Sequence, residues 1–296
     1  MFKKIFSFKL LPLVLALLPL QLSAQGDMSD VEIIPHQLTD NLYFLEGQGG
    51  NIGVSIGDDG VFLIDDQFAP LSGRILDAVA SITSEPVRFV FNTHYHGDHV
   101  GGNANMADAG AIIFAHENVR DRLSADYTRD NMMMSAEQRR SLPVVTFPES
   151  MNFHLNGHDI HVFHLGPGHT DGDSFVYFTD ANIIHTGDVF RTNAYPRVDT
   201  NANGSFYGIV AAYEALVDIS NADTRFLPGH GVLSSQADVQ SQLNMFHTIS
   251  NRVKNAIAQG MSLEQILDAG LTEEYDDRWG DPTGMLTAIY SELLRM

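Results

Sequence analysis

The sequence of 296 residues contains no cysteine. This absence excludes disulfide bonds, a thiol nucleophile and thiolate metal ligands, so the fold must be held by its apolar core and by any bound metal. The sequence also has no uninterrupted apolar run of about 20 residues, the length that a membrane-spanning helix needs. Hydrophobic residues still make up 44% of the chain, which is enough for a sizeable core.

Basic residues are scarce as well. There are 17 Lys and Arg residues against 37 Asp and Glu residues, and the formal net charge is −20. A chain of this charge is repelled by nucleic acid and by anionic membranes, so we expect neither as a partner. The expected partner is a small-molecule substrate, and the oligomeric state is left open by the sequence.

The N-terminal segment differs in composition from the rest of the chain. Three lysines lie among its first nine residues, at Lys3, Lys4 and Lys9. An apolar run over residues 10–20 follows, and the small residues Ser23 and Ala24 close it. This order is typical of a signal peptide, which we predict over residues 1–24. The expected location of the mature protein is therefore periplasmic or secreted.

A membrane anchor is the alternative interpretation of this segment. The run is short for a bilayer span, and Pro12 and Pro19 interrupt it. We therefore expect cleavage after Ala24 and no membrane contact of the mature chain. One folded domain is expected over residues 27–296.

Short apolar runs alternate with helical patterns along that domain. Residues 61–64 and 87–91 have the pattern of buried strands, and residues 71–83 have apolar positions at helical spacing. This alternation predicts an α/β (α+β) layered fold. Three helical stretches are predicted at the C-terminal end, near residues 236–259, 262–268 and 284–295.

The second half of the chain repeats the pattern of the first. Residues 54–66 and 176–188 have the same length and the same order of strand, turn, strand and final acid. The repeat predicts two similar halves that face each other within one domain. Chance similarity of two hairpins is the alternative.

The strongest chemical signal is the run His94-Tyr95-His96-Gly97-Asp98-His99, directly after the strand at 87–91. His94 and His96 are two residues apart, so in an extended stretch their side chains project the same way. Asp98 and His99 follow Gly97, where the chain can turn sharply. Four ligand-type side chains within so short a run predict a metal site at the end of this strand.

Further candidate ligands follow predicted strands later in the chain, at His169, Asp188 and His230. With the run they suffice for two ions: one on His94, His96 and His169, a second on Asp98, His99 and His230, and Asp188 as the bridge. Imidazole and carboxylate suit Zn²⁺, expected at two per chain, although iron and manganese accept the same donors. Such a centre turns a shared water into a hydroxide nucleophile, so no Ser or Cys nucleophile is needed.

These residues, in this order, resemble the metallo-β-lactamase superfamily over roughly residues 38–233. The resemblance implies a four-layer αβ/βα sandwich with the metals at one end of two facing sheets, and it implies the ligand grouping given above. Asp188 is similar to the bridging aspartate of glyoxalase II-like thioesterases, lactonases and other hydrolases of the superfamily. The true β-lactamase subclasses carry cysteine or serine there. The helices from about residue 236 lie beyond the shared motifs.

The leading hypothesis is an exported zinc hydrolase that uses a metal-bridging hydroxide on an ester, thioester, lactone or amide carbonyl. Asp98 would both ligate and orient that hydroxide. The first alternative is a β-lactamase, because Arg191 lies three residues after Asp188, where cysteine-bearing lactamases place a carboxylate-binding lysine. Arg191 is otherwise a solvated surface residue, and Arg197 and Tyr195 are weaker candidates for the same role. The second alternative is a non-hydrolytic di-iron redox protein, whose usual glutamate ligand and flavin domain the sequence does not show.

Some other polar residues are expected around the ligands. Asp65, Asp66 and Thr170 are candidates for holding metal-bound histidines through hydrogen bonds, with strand-end capping as the alternative for Asp65. Residues 132–134 are three methionines, which we expect in the core rather than in a flap over the site. Four histidines are expected to be exposed rather than ligating: His154, His158, His161 and His164.

Overall fold

The computed structural model describes residues 28–129 and 132–296. The predicted signal peptide over residues 1–24 lies outside the described residues. Among the helices of the described part, none is both long enough and apolar enough to cross a bilayer. Residues 31–296 belong to one structural unit.

The described residues form thirteen strands: β1 (Ile34–Gln37), β2 (Leu42–Glu46), β3 (Ile52–Ser55), β4 (Val61–Ile64), β5 (Val87–Asn92), β6 (Ile112–His116), β7 (Val145–Phe147), β8 (Ser150–Leu155), β9 (His158–Phe163), β10 (Phe175–Phe178), β11 (Ile183–His185), β12 (Arg225–Leu227) and β13 (Ser234–Ser235). They also form ten α-helices: α1 (Ser72–Ala80), α2 (Gly97–Val100), α3 (Asn103–Asp108), α4 (Glu117–Tyr127), α5 (Ala136–Ser141), α6 (Phe206–Ile219), α7 (Gln236–Ala258), α8 (Leu263–Leu267), α9 (Glu273–Trp279) and α10 (Thr283–Leu293).

The strands form two sheets that pack face to face. The first sheet has the order β1-β2-β3-β4-β5-β6-β7, and the second has the order β13-β12-β11-β10-β9-β8. Their facing sides share an apolar core to which Phe62 and Phe91 contribute from the first sheet and Ile160 and Val176 from the second. Helices α1, α3 and α4 contact the first sheet, and α6, α7 and α10 cover the second. The four-layer αβ/βα sandwich is therefore confirmed.

The two halves of the chain have related topologies. The segments at 54–66 and 176–188 form the hairpins β3–β4 and β10–β11, one in each sheet. Each hairpin is followed by a strand that pairs parallel with its second member, β5 beside β4 and β12 beside β11. Because parallel strands end at the same edge of a sheet, the loops after these strands lie at a common edge of each sheet.

The C-terminal helices differ from expectation in one element. Helices α7, α8 and α10 lie near the predicted ranges, whereas α9 was not predicted. Its first turn holds Glu273, Glu274 and Asp276, so it has little of the apolar periodicity that marks a helix. Its Trp279 is buried in the core between the second sheet and the C-terminal helices.

Two expectations about burial are wrong. Met132 and Met133 are exposed rather than in the core, with 61% and 94% of their surface accessible. Met134 alone packs against an apolar cluster, which includes Leu123 of α4. Among the four histidines expected to be exposed, His158 is buried instead.

Candidate metal centre

The predicted ligands follow the carboxyl ends of four strands in the chain. His94 and His96 come directly after β5, and the one-turn helix α2 carries Asp98 and His99. The second sheet provides the other three, which follow β9, β11 and β12 respectively: His169, Asp188 and His230. The two sheets therefore bring seven side chains to one end of the sandwich.

The seven side chains form three overlapping groups in which the ligand atoms lie within 4.8 Å of one another. The groups are His94–His96–His169, His94–His99–Asp188 and Asp98–His99–His230. The first and the third are the two predicted ion sites. The structure thus brings every predicted ligand together, and their role in metal binding stays a prediction.

Asp188 lies between the two predicted ion sites. Its Oδ1 is 3.3 Å from Nε2 of His99. Its Oδ2 is 3.4 Å from Nε2 of His230 and 3.8 Å from Nε2 of His169. A single carboxylate therefore faces ligands of both sites, as a bridge requires.

The hydrogen bonding of the cluster indicates which atoms are free to bind a metal. Buried Nε2 of His94, Nε2 of His99 and Oδ1 of Asp188 have no hydrogen-bond partner. Buried polar atoms are rarely left unpaired, because each costs about 1–3 kcal/mol when its partner is missing. Two divalent ions would satisfy these atoms, and an all-nitrogen and oxygen donor set fits zinc, iron or manganese.

The protonation of His94 and His169 suits metal binding at neutral pH. Burial lowers the pKa of His94 well below its usual value and lowers that of His169 to about 4. Both rings are therefore neutral at pH 7 and keep a lone pair for a metal. The pKa of His99 shifts in the opposite direction. Burial lowers it, but the carboxylates of Asp188 and Asp65 outweigh burial and raise it.

Asp65 holds His99 in place. Its Oδ2 accepts a hydrogen bond from Nδ1 of His99 at 2.7 Å and one from the hydroxyl of Thr93 at 2.8 Å. Its Oδ1 accepts the backbone N–H of Thr93 at 2.7 Å. Asp65 adopts a left-handed conformation with φ of 67°, which few non-glycine residues take and which is common at functional sites. The expectation that Asp65 orients a candidate ligand is confirmed.

The other two expected supports bind groups other than a predicted ligand ring. Asp66 accepts the N–H of Gly102 through Oδ1 at 2.9 Å. The hydroxyl of Thr170 donates to Asp173 at 2.6 Å. Neither side chain makes a hydrogen bond to a predicted ligand ring, so their expected role is wrong.

Asp199 is a support that the sequence did not reveal. Its Oδ2 lies 2.9 Å from Nε2 of His96 and accepts the hydroxyl of Tyr95 at 2.8 Å. Its Oδ1 caps the following turn by accepting the N–H of Asn201 at 3.0 Å. The carboxylate therefore fixes the ring of His96 so that Nδ1 faces the cluster, where it lies 2.9 Å from Nε2 of His169.

Replacing Asp199 with alanine is expected to weaken metal binding roughly ten- to a hundredfold, the usual effect of removing a carboxylate behind a ligating histidine. Asp199→Asn keeps an acceptor without the charge, so its loss should be smaller. Competition against a chromophoric chelator measures the affinity, and the visible spectrum of the Co²⁺-loaded protein reports the geometry at His96.

The matched control is Asp159→Ala. It removes an aspartate that pairs with a histidine at 2.6 Å, but this pair, with His154, is exposed and lies outside the cluster. Metal affinity should be unchanged in this control. Equal affinity in Asp199→Ala and the wild type would show that Asp199 does not position a ligand.

The three candidate carboxylate-binding residues occupy different surroundings. Nε of Arg191 donates to Asn193 at 3.1 Å, which leaves its role a prediction. Tyr195 is buried, and its hydroxyl donates to Asp276 at 2.8 Å, so the proposal that it contacts substrate is wrong. Arg197 is exposed and lies near enough to lower the pKa of His96, in addition to the larger effect of burial.

The profile of the metallo-beta-lactamase superfamily matches residues 45–237. This stretch includes every predicted ligand and most of the chain. The protein therefore belongs to the metallo-β-lactamase superfamily, and the resemblance inferred from the ligand motif is confirmed. The superfamily is metal-dependent, in agreement with the clustered histidines and aspartates.

Known relatives place the chain among enzymes. It is 21% identical over 245 residues to the alpha subunit of 2,4-dinitroanisole O-demethylase from Nocardioides sp. (strain JS1661), an alignment that covers 80% of this chain and 68% of that subunit. It is 23% identical over 145 residues to a hydroxyacylglutathione hydrolase from Pelagibacter ubique (strain HTCC1062), covering 49% of this chain and 52% of that enzyme. The prediction of a hydrolase-type enzyme of this superfamily is confirmed by such relatives.

A solved structure supports the fold. The metallo-beta-lactamase from Pontibacter korlensis superimposes with a TM-score of 0.61 at 18% identity, covering 73% of this chain and 99% of that chain. At this identity the likeness establishes the sandwich fold alone.

Proposed function

We propose that this protein hydrolyses an ester, thioester, lactone or amide carbonyl, with two Zn²⁺ ions held by the seven clustered side chains. The observation that carries the proposal is the position of Asp188 between the two predicted ion sites. The named hydrolase among the relatives supports the same class of reaction. The basic and apolar N-terminal segment supports export to the periplasm or beyond.

Asp98 is the residue that we assign to catalysis. It is 30% exposed, whereas Asp188 is 6% exposed, so it faces the open side of the cluster. Burial raises its pKa, but the hydrogen bond with His230 and the charge of His99 outweigh burial and lower the pKa to about 2. Asp98 is therefore an anion at neutral pH, able to bind a metal and to accept a hydrogen bond from an attacking water.

Two bound ions would supply a water of lowered pKa and Lewis acidity at the carbonyl oxygen. The protein's own part is to hold its ligands in position before substrate arrives, through Asp65 behind His99 and Asp199 behind His96. Hydrolysis by such a water needs no Ser or Cys nucleophile.

The direct test measures metal content and activity on one purified sample. The substrates are aryl esters, thioesters, lactones, β-lactams and phosphoesters of similar size. We expect two zinc ions per chain and chelator-sensitive turnover of carbonyl substrates, restored by Zn²⁺. Turnover of phosphoesters alone, or of no substrate at full metal content, would overturn the proposal.

Hydrolysis of β-lactams is the second candidate, because exposed Arg197 places a positive charge near His96. A guanidinium can bind the carboxylate that β-lactams carry. Asp188 in the bridging slot favours the broader hydrolase class. Nitrocefin and a carbapenem decide between them: turnover that exceeds the rate on esters, and that Arg197→Ala reduces, would favour the β-lactamase.

A further inference from the structure

A cavity of about 590 Å³ lies beside the predicted metal centre. His96 forms part of its wall, together with neighbours in the ligand run, Tyr95 and Gly97. The opposite wall comes from α4 and α5, which carry none of the seven ligands. The cavity therefore meets the predicted centre at His96, the one candidate ligand in its lining.

The wall of the cavity is fixed by hydrogen bonds. The hydroxyl of Ser141 donates to the hydroxyl of Tyr127 at 2.9 Å, which ties α5 to α4. The amide of Asn103 donates to the backbone carbonyl of Ser141 at 2.9 Å. Helix α5 starts with a complete capping box between Ser135 and Gln138. The cavity is thus pre-formed, as binding pockets usually are.

Much of the lining is apolar. Val100 and Leu123 are buried members of one apolar cluster, and Tyr95 and Tyr127, which also line the cavity, pack against it.

The charges of the lining are negative. Asp126 and Glu137 line the cavity, and no Lys or Arg is among its lining residues. Asp126 is paired with Arg129 at 2.6 Å, whereas Glu137, in the first turn of α5, is exposed. An anionic group entering here meets the carboxylate of Glu137 without a compensating cation in the wall.

We propose that this cavity binds the non-reacting part of the substrate and selects an apolar group without negative charge. The inference rests on the proposed carbonyl hydrolysis and names its substrate class: esters, thioesters or lactones with a neutral aliphatic or aromatic substituent. Each methylene that enters the cavity is expected to raise kcat/KM about fourfold.

Gly97 permits a sharp test. A Cβ built on Gly97 meets no atom within 4 Å, so a larger side chain fits the fold and projects into open space. Gly97→Val should lower the ratio of kcat/KM for 4-nitrophenyl hexanoate to that for 4-nitrophenyl acetate by about tenfold or more. The ratio cancels any loss common to both esters, and metal content is measured on the same sample.

Gly73→Val is the matched control. Gly73 lies on the exposed side of α1, and its Cβ also meets nothing within 4 Å, but it does not line the cavity. The ester ratio should be that of the wild type. Loss of both esters by the same factor in Gly97→Val would overturn the proposal.

A second variant tests the charge without touching the ligand run. Wild-type enzyme should prefer 4-nitrophenyl pentanoate over mono-4-nitrophenyl glutarate, which has the same chain length and a terminal carboxylate. Glu137→Lys should reduce this preference about fivefold or more. Glu85→Lys, an exposed acid outside the lining, makes the same charge change and should leave it unaltered.

The outcomes separate this proposal from the proposed function. If the metal-loaded wild type hydrolyses none of these esters, the proposal of carbonyl hydrolysis is wrong. The cavity is then tested by calorimetry, which measures the binding of hexanoate to the wild type, Gly97→Val and Glu137→Lys. Weaker binding in Gly97→Val still supports the cavity. Ester turnover that is independent of chain length and of Glu137 overturns the cavity alone.

Discussion

Replacing Asp188 with asparagine is expected to lower kcat/KM by about a thousandfold or more, because it removes the charge that serves both predicted ion sites. A metal at a reacting carbonyl contributes several kcal/mol to the transition state, and about 4 kcal/mol corresponds to a factor near a thousand. The side chain keeps its size, so the effect reports on charge rather than on packing. Steady-state kinetics and metal analysis on the same sample measure both consequences.

The position of Asp188 explains why the loss should be so large. Its carboxylate faces His99 on one side and His169 and His230 on the other, at 3.3 to 3.8 Å. Burial disfavours its charge, yet the surrounding histidines hold its pKa well below the usual value. Asparagine cannot supply this anion, so the variant should retain less than the full complement of metal.

Asp218→Asn provides the control, since this aspartate lies exposed at the end of α6, away from the predicted ligands. It should keep wild-type activity and metal content. Circular dichroism should show Asp188→Asn folded, because the apolar cores lie between the layers rather than at the ligands. Wild-type kinetics in Asp188→Asn with two ions bound would contradict the bridging role.

The clustering of the candidate ligands could be predicted from the sequence because the strongest signal is local. Residues 94–99 carry four candidate ligands in one short run after a recognisable strand. The other three, His169, Asp188 and His230, each follow a later predicted strand. Helix α7 ends within one residue of its predicted range because its apolar residues follow helical spacing. Such patterns predict the structure well because the apolar residues that form the pattern are the residues that pack in the core.

Contacts between distant loops could not be predicted in this way. Asp199 meets His96 across 103 positions of sequence, from a loop without periodicity. The sequence also gives no signal for the exposure of Met132 and Met133, since methionine is compatible with core and surface. Exposed Arg197 contributes to the lowered pKa of the predicted ligand His96, and the direction of a loop side chain has no sequence signature.

Replacing Gly229 with alanine is expected to disable the site although no ligand is changed. A Cβ on Gly229 would lie 2.1 Å from Oδ1 of Asp188 and 2.8 Å from the backbone carbon of Gly187. Neither neighbour can retreat easily, because the N–H of Gly229 is bound to the carbonyl of Gly187 at 2.7 Å. The methyl group must therefore displace the carboxylate, His230 or both.

Displacement of a catalytic group by about 1 Å costs roughly a hundredfold in rate, so we expect at least that loss of kcat/KM in Gly229→Ala, together with weaker metal binding. Overpacking should also destabilise the fold by about 1–3 kcal/mol. Gly284→Ala is the control, because its Cβ meets nothing within 4 Å in α10. Thermal unfolding with and without Zn²⁺ separates the two effects: a smaller stabilisation by Zn²⁺ than in the wild type reports the damaged site. Full activity with an unchanged response to Zn²⁺ would mean that the bridging carboxylate tolerates a position other than the one in this structure.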